Sequence, residues 1–187
     1  MWAGSTKIRR SLLVASLLLL GASTQARARG LPAQEGIVNF GKVSERLYRG
    51  AQPNAAAMKA LQALGIKTIV NLRMPGDVWK PEATEANSLG ILYTNVPFRG
   101  FGRPSPDQVN QVLDMIDSLP GPVFIHCQHG CDRTGTVIAC YRIRHDNWSR
   151  ENAMKEAGVH GMSWFERGMR KFVSDFARLA GRPKPAA

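Results

Sequence analysis

Cysteine is scarce in this sequence: 187 residues hold three. That is too few for a disulfide-stapled scaffold, and the spacing matches no four-ligand zinc site, so no metal is expected. Long apolar runs are absent as well. The longest, Ser11 to Ala22, covers about a dozen residues, short of the ~20 needed to cross a bilayer, so no stable membrane anchor is expected. Acids are few, 14 against 25 Lys and Arg, for a formal net charge of +11. These shortages exclude a membrane transporter, a coiled coil and a repeat array. What is present is an ordinary globular balance, 44% hydrophobic and 21% charged, in a length that suits one domain.

The positive excess divides along the chain. Lys7, Arg9 and Arg10 precede the Ser11–Ala22 apolar run, and Ala26-Arg27-Ala28 follows with the small-x-small pattern of a cleavage site. Residues 1–28 therefore read as a signal peptide, and the protein as exported, periplasmic or secreted. That segment carries four basic residues and no acid, which leaves +11 − 4 = +7 for the remainder. Residues 29–180 are then the folded domain, and 181–187, with two prolines, a disordered tail. The remaining basic residues are scattered, with no helical stripe or base-stacking motif, so no nucleic acid is expected and the charge suits an anionic substrate.

Apolar spacing predicts strands over 37–43, 46–49, 67–72, 91–96 and 122–126. Between them, helical spacing covers 55–64, opened by Asn54, then 82–89, then a helix from Pro106 capped by Ser105. A buried helix runs from Thr134. Two more follow, one capped by Ser149 and one opened by a capping box, Ser163-Trp164-Phe165-Glu166. Alternation of this kind implies an α/β single domain: a mainly parallel central sheet flanked by helices. Ligands of such sheets sit at the carboxyl ends of strands, which singles out the residues after His126.

Those residues are His126-Cys127-Gln128-His129-Gly130-Cys131-Asp132-Arg133-Thr134-Gly135. A loop between a buried strand and a helix N-terminus forms an oxyanion cradle from its backbone N–H groups, Gly130 allowing close approach. Gln128, His129, Gly130, Cys131, Asp132 and Arg133 are the expected substrate-binding positions, with Arg133 gripping two phosphate oxygens through its planar fork. The same positive field favours the thiolate of Cys127, the expected nucleophile, and Thr134 can hydrogen-bond that sulfur. His126 is expected as structural support that shapes the loop.

The segment resembles the protein tyrosine phosphatase superfamily, whose His-Cys-x5-Arg-Ser/Thr signature is met by His126, Cys127, Arg133 and Thr134. Leu47-Tyr48-Arg49-Gly50-Ala51-Gln52-Pro53 is similar to the strand entry of its compact, dual-specificity-like members. The resemblance covers about residues 38–178. It implies phosphomonoester hydrolysis through a cysteinyl-phosphate intermediate with no cofactor, on phosphotyrosine-containing protein or on an inositol phosphate or phosphoinositide.

One departure stands out. The family takes its general acid from a loop about 30 residues before the cysteine, and here Val96 to Arg103 holds no carboxylate. Cys-x-x-Gly-x-Asp-Arg resembles the loop of myotubularin-type phosphatases, whose own aspartate is proposed as the acid, which makes Asp132 the candidate over Asp107 in the next helix's first turn. Arg99 and Arg103 lie on the loop that covers such sites and are candidate substrate contacts. Cys131 and Cys140 are candidate disulfide partners of Cys127, against a plain buried role for Cys140. The missing upstream acid keeps one alternative open, a non-catalytic phosphate-binding module.

Overall fold

The computed structural model describes residues 30–181; the expected signal peptide lies outside them, as does the tail from 182. Five strands and six helices alternate: β1 (Gly41–Lys42), β2 (Leu47–Gly50), α1 (Ala55–Ala63), β3 (Thr68–Asn71), α2 (Glu82–Ser88), β4 (Leu92–Asn95), α3 (Pro106–Ser118), β5 (Val123–His126), α4 (Asp132–His145), α5 (Arg150–Val159) and α6 (Arg167–Ala180). The sheet order is β1-β2-β5-β3-β4. Every pairing is parallel except the β1 edge, which runs antiparallel to β2. The mainly parallel α/β sheet read from the sequence is therefore the fold.

Both faces of the sheet are covered, which explains why its central strands are apolar without alternation. Val70, Val123 and Ile125 pack on one side with α3, α4 and α6, through residues such as Leu113, Ile138 and Phe172. Ile69 and Phe124 point the other way, onto Met58 and Leu61 of α1 and Ala86 of α2. Helix starts follow their capping chemistry. Asn54 accepts from Ala57 N, and Ser105 closes a full capping box with Gln108 ahead of Pro106.

Two expected elements differ. Residues 37–43 do not form one strand: only Gly41–Lys42 pair, because Asn39 takes a positive φ of 58° that breaks extension. Nor does Ser163 open the last helix. α6 begins at Arg167 with Glu166 at its N-cap, and Ser163 instead donates its backbone N–H to Asp132 Oδ1 at 2.7 Å. Glu166 is drawn elsewhere, its Oε2 receiving Gly102 N at 3.4 Å.

Candidate active site

β5 lies between β2 and β3 in the sheet, so the loop that leaves its carboxyl end emerges at the centre of the molecule. Residues 127–131 join it directly to α4. All five carbonyls of this loop have donors. Cys127 O meets His126 Nδ1 at 3.2 Å, and Gln128 O accepts from Gln52 N at 3.3 Å. His129 O accepts from Asn39 Nδ2 at 2.9 Å, Gly130 O from Arg49 Nη2 at 2.7 Å, and Cys131 O from Gly135 N at 2.7 Å. In a trans peptide the next N–H runs antiparallel to each carbonyl. With the carbonyls held by the surrounding elements, the N–H groups of 128–132 are turned toward the cavity, the geometry an oxyanion needs.

That cavity, of about 240 Å³, is lined by Asp77, Gly100, Phe101, Cys127, Gln128, His129, Asp132, Arg133 and Glu166. It brings together the expected nucleophile, the expected arginine and the expected acid. Arg133 is buried with Nη1 unpartnered, and Thr134 Oγ1 is likewise buried without a hydrogen bond. Thr134 thus makes no bond to the Cys127 sulfur. Two orphaned polar groups at the start of α4, beside turned-in N–H groups, fit an anion, since buried polar groups otherwise find partners.

Gly130 is required twice. Its φ is 69°, and a Cβ there would lie 2.6 Å from the carbonyl of Gly50. His126 is fully buried, and its Nε2 lies 2.8 Å from Glu82 Oε1. Because a carbonyl only accepts, the contact between His126 Nδ1 and Cys127 O has the ring nitrogen as donor. Asn71 Nδ2 donates to the other Glu82 oxygen at 2.7 Å and to Tyr93 Oη at 3.0 Å. Burial raises the Tyr93 phenol above its ordinary value, and the Glu82 carboxylate adds to this.

Several expected site residues are placed elsewhere. The Cys131 side chain is turned to the back of the loop, where its sulfur meets Asn39 Nδ2 at 3.1 Å, so only its backbone faces the cradle. Arg103 is tied to Asp175 at 2.8 Å and lies over the Phe172 ring, away from the cavity. Arg99 and Asp107 do not line the cavity either, and from the covering loop it is Gly100 and Phe101 that do. Cys127, Cys131 and Cys140 form no disulfide among the described residues, and burial pushes the Cys140 thiol well up.

Residues 32–175 match the family described as DSP-PTPase phosphatase fused to NAD+ kinase. The chain belongs to this family. It is a cysteine-dependent phosphatase. It is 32% identical over 158 residues to the dual specificity protein phosphatase TpbA of Pseudomonas aeruginosa, across 78% of this chain and 69% of that protein. It is 28% identical over 150 residues to the inositol diphosphatase DSP5 of Arabidopsis thaliana, across 74% and 69%. The crystal structure of a cysteine-to-serine form of P. aeruginosa TpbA with phosphotyrosine superposes with a TM-score of 0.66 at 26% identity, covering 86% of this chain and all of that one.

Sequence reasoning missed Asn39, Arg49, Glu82, Asp77 and Glu166. A charged residue in a strand as buried as Leu47–Gly50 is the one local signal that singles out Arg49. The others reach the site only through the fold.

Proposed function

We propose that this phosphatase hydrolyses aryl phosphomonoesters, phosphotyrosine in protein foremost, through a phosphoryl group carried on Cys127. The carrying observation is the cradle: a loop whose five carbonyls are all held from outside, opening on a cavity shared by Cys127, Arg133 and Asp132. The Cys127 thiolate attacks phosphorus as the phosphorus–oxygen bond to the leaving group breaks. Arg133 and the loop N–H groups hold the three equatorial oxygens and stabilise the charge they share in the transition state. Asp132 gives its proton to the departing oxygen. It then takes a proton from the water that displaces Cys127 and releases phosphate. Its Oδ1 is oriented for this by the Ser163 N–H.

The aryl preference is supported by the rim. The exposed large aromatics among the described residues are Phe101, Trp164 and Phe165. Phe101 lines the cavity itself. Trp164 and Phe165 stack on each other at 3.6 Å, in the segment that Ser163 ties to Asp132. A phenyl spacer between phosphate and peptide backbone brings apolar surface to that rim, whereas a free inositol phosphate has none to offer. A second reading, an inositol phosphate or phosphoinositide, draws on the likeness to an inositol diphosphatase. The export read from residues 1–28 places this chemistry in the periplasm or outside the cell.

Hydrolysis of a phosphotyrosyl peptide and of an inositol polyphosphate, by the wild type and by Cys127→Ser, tests the proposal. Turnover of the peptide at a higher kcat/KM, abolished in Cys127→Ser, is the expected result. A preference for the inositol phosphate favours the second reading. No turnover of either substrate, with phosphate still bound, points to a binding module.

A further inference from the structure

Arg49 is among the most deeply buried side chains of the protein, 1% exposed in the middle of β2. Its guanidinium makes one hydrogen bond, from Nη2 to Gly130 O at 2.7 Å, and its Nε and Nη1 are buried without a partner. Among the described residues no carboxylate lies within ion-pair distance of it. The acid whose charge acts on it most, Glu156, is already held by Arg142 at 2.8 Å. His160 flanks it across Gly41, and burial, with Arg49 itself, lowers that imidazole to about 4, so it stays neutral near pH 7. Burial lowers the Arg49 guanidinium to about 10, and the charges that oppose this loss are Glu156, Cys127 and Cys131. A buried cation is costly unless an anion balances it. With Glu156 taken up by Arg142, the negative charge left to balance Arg49 is that of the loop.

We propose that Arg49 is a positioning residue for the reaction: it pins the Gly130 carbonyl to the rear of the phosphate loop and supplies the fixed positive charge that balances the Cys127 thiolate and the bound phosphoryl group from behind. The inference rests on Cys127 being the nucleophile. Arg49 touches neither substrate nor sulfur in this assignment. Its fork holds the peptide whose N–H belongs to Cys131, and so sets one wall of the cradle. Its charge acts through a low-dielectric core, where screening by salt is weak. The remaining titratable groups facing Cys127 are Arg133, Asp132, His129, Glu166 and Asp77 on the cavity side, with His126 beside it in the chain. All are left intact by changes at Arg49.

The test is inactivation by iodoacetamide as a function of pH, with alkylation mapped to Cys127, in the wild type, Arg49→Met and Arg49→Lys. Protection by inorganic phosphate is measured alongside, and folding is checked by thermal melting. In Arg49→Met the alkylation profile is expected to move to higher pH, with a rate at pH 6 lower by about tenfold or more, as for loss of a close opposite charge. Arg49→Lys keeps the charge and loses the fork. Its profile is expected to stay near the wild type while phosphate protects several-fold less well. A folded Arg49→Met with the wild-type profile overturns the assignment. Should Arg49→Met fail to fold, Arg49→Lys decides: undiminished phosphate protection overturns it, and weakened protection at an unmoved profile supports it. A wild type in which Cys127 does not react at any pH instead sinks the reading of Cys127 as nucleophile.

Discussion

At Gly130 two constraints coincide, a left-handed backbone and a carbonyl of Gly50 that a Cβ would meet at 2.6 Å. Gly130→Ala therefore strains the loop and pushes it off β2. The expected cost is about 2–4 kcal/mol, read as a fall in melting temperature of roughly 5–10 °C, with activity lost beyond what the melting explains. Asp132 makes a different prediction. Asp132→Asn keeps an oxygen to accept from Ser163 N but cannot deliver a proton. Its kcat on an alkyl phosphate is expected to drop ~10²–10⁴-fold, and much less on p-nitrophenyl phosphate, whose leaving group needs little help. Asp107 is not among the residues lining the cavity, so Asp107→Asn should leave both rates near wild type. Equal losses on the two substrates in Asp132→Asn would remove Asp132 from the acid's role.

Helices carry their own evidence of where they begin. Ser105 Oγ accepts from Gln108 N, and Ser105 N donates to Gln108 Oε1 in return. Ser105→Ala is expected to cost ~1 kcal/mol of stability, about 2–5 °C, without altering kcat/KM, because α3 contributes no side chain to the cavity. This is the kind of element a sequence reveals well: the cap, Pro106 at the first position, and Val109, Val112, Leu113 and Ile116 on one face are all local. The phosphate loop is legible for the same reason, since ten consecutive residues hold its nucleophile, arginine and glycine. The start of α6 was not. Ser163 and Glu166 have capping-box spacing, but the Ser163 N–H is claimed by Asp132, 31 residues away, and Glu166 is turned toward Gly102, 64 away. A tertiary partner overrides a local motif there. Asn39 shows the limit most clearly: it joins Leu31, His129, Cys131 and His160, contacts separated by up to 121 residues, with no spacing that would announce them.

Taken as a whole, the molecule buries several polar groups behind its phosphate loop, and pH is the lever on their cost. His160 titrates at about 4 when folded, against an ordinary 6.5. Between those values the unfolded chain binds a proton that the folded protein refuses, so stability falls as pH is lowered from 6.5 toward 4. The melting temperature should decline over that window, more shallowly in His160→Gln; identical slopes would mean that other groups control acid stability. Fold class followed from the alternation of strands and helices, because the central strands β3 and β5 are buried at every position between covering helices. The carbonyl-holding set of Asn39, Gln52 and Arg49 did not, because it comes from three points along the N-terminal third and meets the loop only once β2 has paired with β5. In this assembly Cys127 is the side chain proposed to carry the phosphoryl group. The most direct measurement is rapid quenching of the enzyme during turnover of an aryl phosphate, followed by peptide mapping by mass spectrometry. The account predicts a phosphate's added mass on Cys127 in the wild type, accumulating further where Asp132→Asn slows its hydrolysis. Steady turnover with Cys127 unmodified, or with the phosphoryl group found on another side chain such as His129, would contradict it.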